Sequence, residues 1–285
     1  MMARGVCCGV LGVVLLLSSG CTVQKMGEAR AQGPSREDAL QALSRIGVAG
    51  ASQSAGFGAG MSLGKVLRQG VTSPHVMLEV PNMMFFRDPH GEGARQIDKL
   101  LQNNPTMTIA VDYLFWFVYG NKSEGARIED LQRGFDYLER LPGPLFVGDI
   151  PDMQGAWEAM LPASAIPPPA ELDRCNDLIY AWAAKHGRVS VIPLAEYVAA
   201  IKAETPVSIG RQTRVYTMKQ VLNGDRLHGN KLGQVLLAAL CIDAIQRHFA
   251  VLGSTELVLD VDVLRQRVLS PASASSEVGG RAQGR

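Results

Sequence analysis

Five short apolar runs constrain this chain more than any other feature. Residues 46–51, 75–80, 107–114, 144–150 and 188–194 are rich in apolar residues without strict alternation, and helix-like stretches separate them. A strand that is apolar on both faces is covered on both sides, as in a parallel sheet. The intervening stretches have the other period. Residues 126–141 put Ile128, Leu131, Phe135 and Leu138 on one stripe, and residues 170–185 do the same with Leu172, Cys175, Ile179 and Trp182. A last helix, predicted over residues 231–249, turns Leu232, Val235, Leu236, Ala239 and Ile242 inward. Strands alternating with helices predict right-handed βαβ units. The expected fold is therefore α/β, a three-layer α/β/α sandwich on a five-stranded, mostly parallel sheet. Sites in such sheets lie beyond the carboxyl ends of the strands, where Ser52, Asp112 and Asp149 stand.

The two ends of the chain read differently. "MMARGVCCGVLGVVLLLSSGC" has a basic start at Arg4, an apolar stretch and small residues before Cys21. This is the pattern of a secretory signal, too short for a spanning helix. Leu17 to Cys21 resembles a bacterial lipobox, with Ser18 departing from the usual aliphatic residue. The expected division is a lipoprotein-type signal over residues 1–20, a tether over 21–35, one domain over 36–269 and a disordered tail over 270–285. Cys21 would carry lipid and anchor the chain to a membrane. Thr22, standing where a retention aspartate would stand, points to an outer-membrane location facing the periplasm; simple secretion is the alternative. The net charge of +1 gives no electrostatic basis for binding nucleic acid. Cys175 and Cys241 sit in helical patterns and predict buried thiols, and no metal-ligand spacing appears. Neither metal nor organic cofactor is expected.

The first apolar run ends in "GASQSAGFGAG" (residues 50–60), a small-residue corner with several conceivable uses. A Walker loop fails because Ala59 replaces its first glycine and Val66 its magnesium-binding hydroxyl. A dinucleotide fingerprint fails at Met61. A nucleophilic serine needs a base, and the base needs an orienting acceptor. Of the five histidines, His75, His90, His186 and His248 fit surface or capping positions. His228 stands apart, in "LNGDRLHGNKLGQVLLA", with Asp225 three residues before it in one short loop ahead of a long helix.

Together these segments resemble the SGNH (GDSL-like) hydrolase superfamily over roughly residues 45–249. "GASQSAGFG" matches its Gly-Asp-Ser opening, with Ala51 in the aspartate's place. "GDRLHGNKLGQ" matches its Asp-x-x-His-x-Asn-x-x-Gly ending. The resemblance implies a flavodoxin-like SGNH fold and a serine esterase acting on an O-acyl ester of a sugar, a lipid or a small metabolite. It assigns Ser52 as nucleophile, His228 as general base and Asp225 as its orienting partner. It places the backbone N–H of Ser52 in the oxyanion hole, with Gly93, or else Gly91, as second donor. The family's third motif supplies an asparagine amide where "TIAVDYLFWF" has Asp112, whose ionised carboxylate would repel an oxyanion. Asp112 is thus either a third oxyanion-hole residue or a structural acceptor. That departure motivates the alternative of a catalytically degenerate SGNH domain that binds glycan or a protein partner. The Phe115–Tyr119 and Met83–Phe86 clusters fall at the active-site end, split between a rim and helix packing. Asp149 or Asp152 is expected to hold loop backbone.

Overall fold

The computed structural model describes residues 33–270 apart from residue 211. The expected signal, Cys21, most of the tether and nearly all of the tail lie outside the described residues.

Each apolar run forms a strand: β1 (Arg45–Val48), β2 (Val76–Glu79), β3 (Met107–Ala110), β4 (Leu145–Gly148) and β5 (Val189–Ile192). The strands are shorter than the runs because the pairing stops where residues 49–51 and 111–114 turn away as loops. All pair in parallel, in the order β2-β1-β3-β4-β5. Every residue of β3 and β4 is buried, the reason these runs show no alternation. Val48 pairs with Glu79 on one side and with Ile109 on the other, so the ends of three strands lie level. From β1 the chain first adds β2 on one side and then β3 on the other. The switch point of this order lies between β1 and β3, where ligand sites form in doubly wound sheets.

Before β3 come helices α1 (Arg36–Leu43), α2 (Leu63–Gly70) and α3 (Pro89–Gln102). Between β3 and β5 are the single-turn α4 (Phe115–Val118), α5 (Glu124–Glu139) and α6 (Pro169–Lys185). After β5 follow α7 (Leu194–Lys202), a hairpin of β6 (Pro206–Ile209) and β7 (Gln212–Val215), then α8 (Met218–Val221), α9 (Lys231–His248) and α10 (Val261–Leu269). The helix α5 begins two residues ahead of the predicted stretch because Ser123 caps it, accepting from the N–H of Ala126. Two apolar cores cover the two faces of the sheet. One is built from α1, α2, α7, α9 and α10. The other is built from α3, α4, α5 and α6. These are the three layers expected.

The helix α9 is apolar nearly all round rather than on one stripe. Leu237, Ala238, Leu240, Cys241 and Ala244 are buried along with the expected Val235, Leu236, Ala239 and Ile242. It lies against the sheet and is flanked by α2, α8 and α10. A helix enclosed on all sides needs no polar face. Cys175 and Cys241 are both buried free thiols. No described helix is long and apolar enough to cross a membrane.

Candidate active site

The histidine is placed by its own loop. The helix α8 ends at Val221, and an isolated bridge joins Leu222 to Gly229, closing residues 222–229 into a tight loop. Asn223 fastens the loop, its backbone N–H reaching the carbonyl of His228 at 2.8 Å and its side-chain amide that of Gly229 at 3.1 Å. Asp225 then acts as an Asx turn: its Oδ1 accepts the N–H of Leu227 at 2.9 Å and of His228 at 3.0 Å. The other oxygen, Oδ2, accepts His228 Nδ1 at 2.9 Å. Burial pushes the Asp225 carboxyl up, but the two backbone N–H groups and the imidazole pull it net below the ordinary range. Asn230, the last residue of the motif, caps α9 by accepting from Leu232 and Gly233. The Asp-x-x-His-x-Asn spacing therefore does three local jobs: it orients the ring, turns the chain and starts the helix.

The serine loop is held from outside. Gly50 has φ +151, a region open to glycine alone, and a Cβ there would stand 2.0 Å from Asp112 Oδ1. The Gln96 side chain clamps this residue from both ends, accepting its N–H at 2.8 Å and donating to its carbonyl at 2.9 Å. Asp112 clamps the next turn. Its Oδ1 accepts from Ala51 N–H at 3.0 Å and Ser54 Oγ at 2.5 Å, and its Oδ2 accepts from Ser54 N–H at 3.0 Å. Desolvation nevertheless raises the Asp112 carboxyl above its ordinary value, against these donors. Gln53 ties the two loops together, taking the N–H of Gly229 at 2.8 Å, while Gln234 of α9 donates to the Gln53 carbonyl at 3.1 Å.

Held in this way, Ser52 Oγ lies 2.8 Å from His228 Nε2. With Nδ1 donating to Asp225, Nε2 presents a lone pair to the serine hydroxyl, the arrangement a general base requires. Phe57 covers the imidazole at a ring-centroid distance of 4.6 Å, and His228 is only 5% exposed. The Ser52 N–H makes no hydrogen bond among the described residues.

Two of the residues expected in the oxyanion hole do something else. Gly93 lies inside α3, beyond the first turn, where backbone N–H groups serve the helix's own ladder. Its missing side chain is needed for packing, since a Cβ would stand 2.7 Å from the Tyr113 hydroxyl. Gly91 fails as well, its N–H going to the Asp88 cap at 2.9 Å. Asp112 has both oxygens engaged with N–H and O–H donors and offers no proton to an oxyanion. It is the structural acceptor of the two alternatives.

The aromatic clusters divide as expected. Phe85, Phe117 and Tyr119 are fully buried, whereas Met83, Met84 and Phe86 are nearly half exposed. Asp149 holds loop backbone, accepting from Ala195 N–H at 2.7 Å and from the Tyr180 hydroxyl at 3.0 Å. The residues missed in the sequence were Gln53, Gln96, Gln234 and Phe57. The last two glutamines did leave a signal: each is a lone polar residue among buried apolar neighbours on its helix. No cluster of three or more metal-ligating side chains occurs among the described residues.

No family model and no curated protein matches the chain. Among solved structures, a gut microbial diltiazem-metabolizing enzyme superposes with a TM-score of 0.50 at 13% identity, over 71% of this chain and 46% of that one. The chain thus spans less than half the length of that enzyme. The psychrotrophic esterase EstA from Pseudoalteromonas sp. and TesA each superpose with a TM-score of 0.46, at 15% and 13% identity. They cover 72% of this chain and 98% and 99% of their own. At such identities the likeness is one of fold.

Proposed function

We propose that this chain is a serine hydrolase of the SGNH type that hydrolyses an O-acyl ester through Ser52, His228 and Asp225. The observation that carries the proposal is the unbroken relay from Ser52 Oγ to His228 Nε2 and from His228 Nδ1 to Asp225, at 2.8 and 2.9 Å. In the first half-reaction Ser52 Oγ bonds to the acyl carbon while its proton passes to His228. The carbonyl oxygen becomes an oxyanion, the carbon–oxygen bond to the alcohol breaks, and the alcohol leaves with the proton from His228. Water then repeats the sequence on the acyl-enzyme, releasing the acid and restoring the serine. Asp225 keeps the imidazole in the tautomer this needs. The free N–H of Ser52 is the oxyanion donor in this reading, a role worth about 3–4 kcal/mol of barrier.

The chain would act at the cell envelope, lipid-anchored at Cys21 to the outer membrane and facing the periplasm. The competing reading is an SGNH domain that binds glycan or a protein partner without turnover. The observation in its favour is Asp112, a locked carboxylate where an amide donor would complete the hole.

The test is hydrolysis of p-nitrophenyl esters by the chain without its first 20 residues, beside its Ser52→Ala variant and labelling by a fluorophosphonate. Turnover and labelling that both disappear in Ser52→Ala establish the nucleophile. A correctly folded protein that neither hydrolyses esters nor takes the label is the binding domain.

A further inference from the structure

The relay opens onto a cavity larger than an ester carbonyl requires. It measures about 120 Å³ and runs from Ser52 and His228 inward, between the loop after β4 and the helices α7, α8 and α9. On α7 its wall is Leu194, Val198 and Ile201, spaced so that one helical stripe faces the cavity. Opposite stand Val221 at the end of α8 and Leu237 on α9, with Ile150 closing the side. Leu194, Ile201, Val221 and Leu237 belong to the larger apolar core, so the cavity is a slot let into that core.

The polar groups in the wall are mostly spent on the protein itself. Asp149 is taken by Ala195 N–H and the Tyr180 hydroxyl, and Asp112 by Ala51 and Ser54. Lys202 donates to the carbonyls of Asp152 and Gln154. Gln53 is shared between Gly229 and Gln234. The exception is the Tyr197 hydroxyl, which is buried without a partner among the described residues. A sugar or a charged group in this slot would lose its water without recovering equivalent hydrogen bonds, whereas an alkyl chain would lose nothing.

We infer that the slot takes the acyl half of the ester as an unbranched alkyl chain, so that the substrate is a medium-chain fatty-acyl ester. This rests on the hydrolase reading above and specifies its substrate. The cavity of about 120 Å³ is many times the roughly 10–15 Å³ that a single water needs, room for several methylenes beyond the carbonyl, and octanoyl is the length taken for the test. The alcohol half stays outside, on the side where the exposed Phe86 packs against Trp116 of the cavity wall.

Two measurements test this separately from the chemistry. In a series of p-nitrophenyl esters, kcat/KM should rise by about three orders of magnitude or somewhat more from acetyl to octanoyl, following methylene burial. It should then fall at dodecanoyl. Val198→Trp, which fills the slot from a partly buried position, should lower the octanoyl-to-acetyl ratio of kcat/KM by at least about tenfold. Val198→Ala should carry the optimum to longer chains. The second measurement is calorimetric titration of the Ser52→Ala protein with octanamide and with acetamide, which reads the slot without turnover. Octanamide should bind and acetamide should not, and Val198→Trp in the same background should abolish octanamide binding. Octanamide binding in a protein that hydrolyses no ester would keep the slot and remove the hydrolase reading. Turnover fastest on acetyl esters, unchanged in Val198→Trp and without octanamide binding, would overturn the slot and leave the hydrolase.

Discussion

The loop that carries His228 draws its geometry from itself. Asp225 fixes the backbone and the ring from three positions away. The loop that carries Ser52 is held by residues 46, 61 and 181 positions distant, Gln96, Asp112 and Gln234. The two meet at the hydrogen bond from serine to histidine and at the one from Gly229 N–H to the Gln53 side chain. An Asx turn with an attached imidazole is specified wherever its four residues form the turn. The serine loop gets its shape only when β1, β3, α3 and α9 are assembled around it. One half of the relay is therefore a local motif and the other a product of the whole fold.

Removing each half's own carboxylate is the sharpest way to probe that difference. Asp225→Asn keeps the shape but leaves the imidazole free to take the wrong tautomer, and kcat/KM should fall on the order of 10⁴-fold with little change in structure. Steady-state kinetics with a circular dichroism control reads both. Asp112→Asn should do the reverse, weakening the fold more than the chemistry. It turns an amide NH₂ toward N–H donors and leaves one unpaired, at a cost of about 1–3 kcal/mol. In a chain of this size that lowers Tm by several degrees, measured by thermal unfolding. A rise in kcat in the same variant would instead mean that the missing amide limits turnover. Gln96→Leu removes both clamps on Gly50 and should cost about 1–2 kcal/mol, with kcat/KM for the best ester falling more than the stability change alone accounts for.

The smallest effect is in pH dependence, where the two carboxylates have opposite signs. The Asp225 carboxyl is held below its ordinary value of about 4 by its donors. The stability it brings is complete above that value and is lost as pH falls through the folded one. The difference between the wild-type chain and Asp225→Asn should therefore narrow in acid. Burial raises the Asp112 carboxyl. Its folded form holds the proton longer than the unfolded chain, so the stability it adds declines as pH rises from about 4 through the folded value. The wild-type advantage over Asp112→Asn should shrink upward in pH. Urea unfolding at several pH values distinguishes the two slopes; slopes of the same sign would mean that the carboxylates share one environment.

What was legible followed the same division. The strands and the long helices were readable because burial on both faces or on one stripe leaves a period in the sequence. The histidine loop was readable because its contacts span three residues. The small α7, α8 and the β6–β7 hairpin were not expected, being short and tied to the domain by contacts without sequence periodicity. Gly93 was misplaced for a related reason. A glycine in the first turn of a helix and one a turn further in read alike in sequence, yet only the former has an N–H outside the helix's own ladder.

By itself, the sequence determined a doubly wound parallel sheet and a short loop in which Asp225 must face His228, because both depend on near neighbours and on repeated burial. The tertiary structure alone decided that Ser52 faces that histidine, and that Asp112 grips the serine loop instead of an oxyanion. It alone decided that an apolar slot opens behind the serine. Each of these depends on which distant side chains converge at the ends of β1 and β3, and the chain has no local means of encoding that convergence.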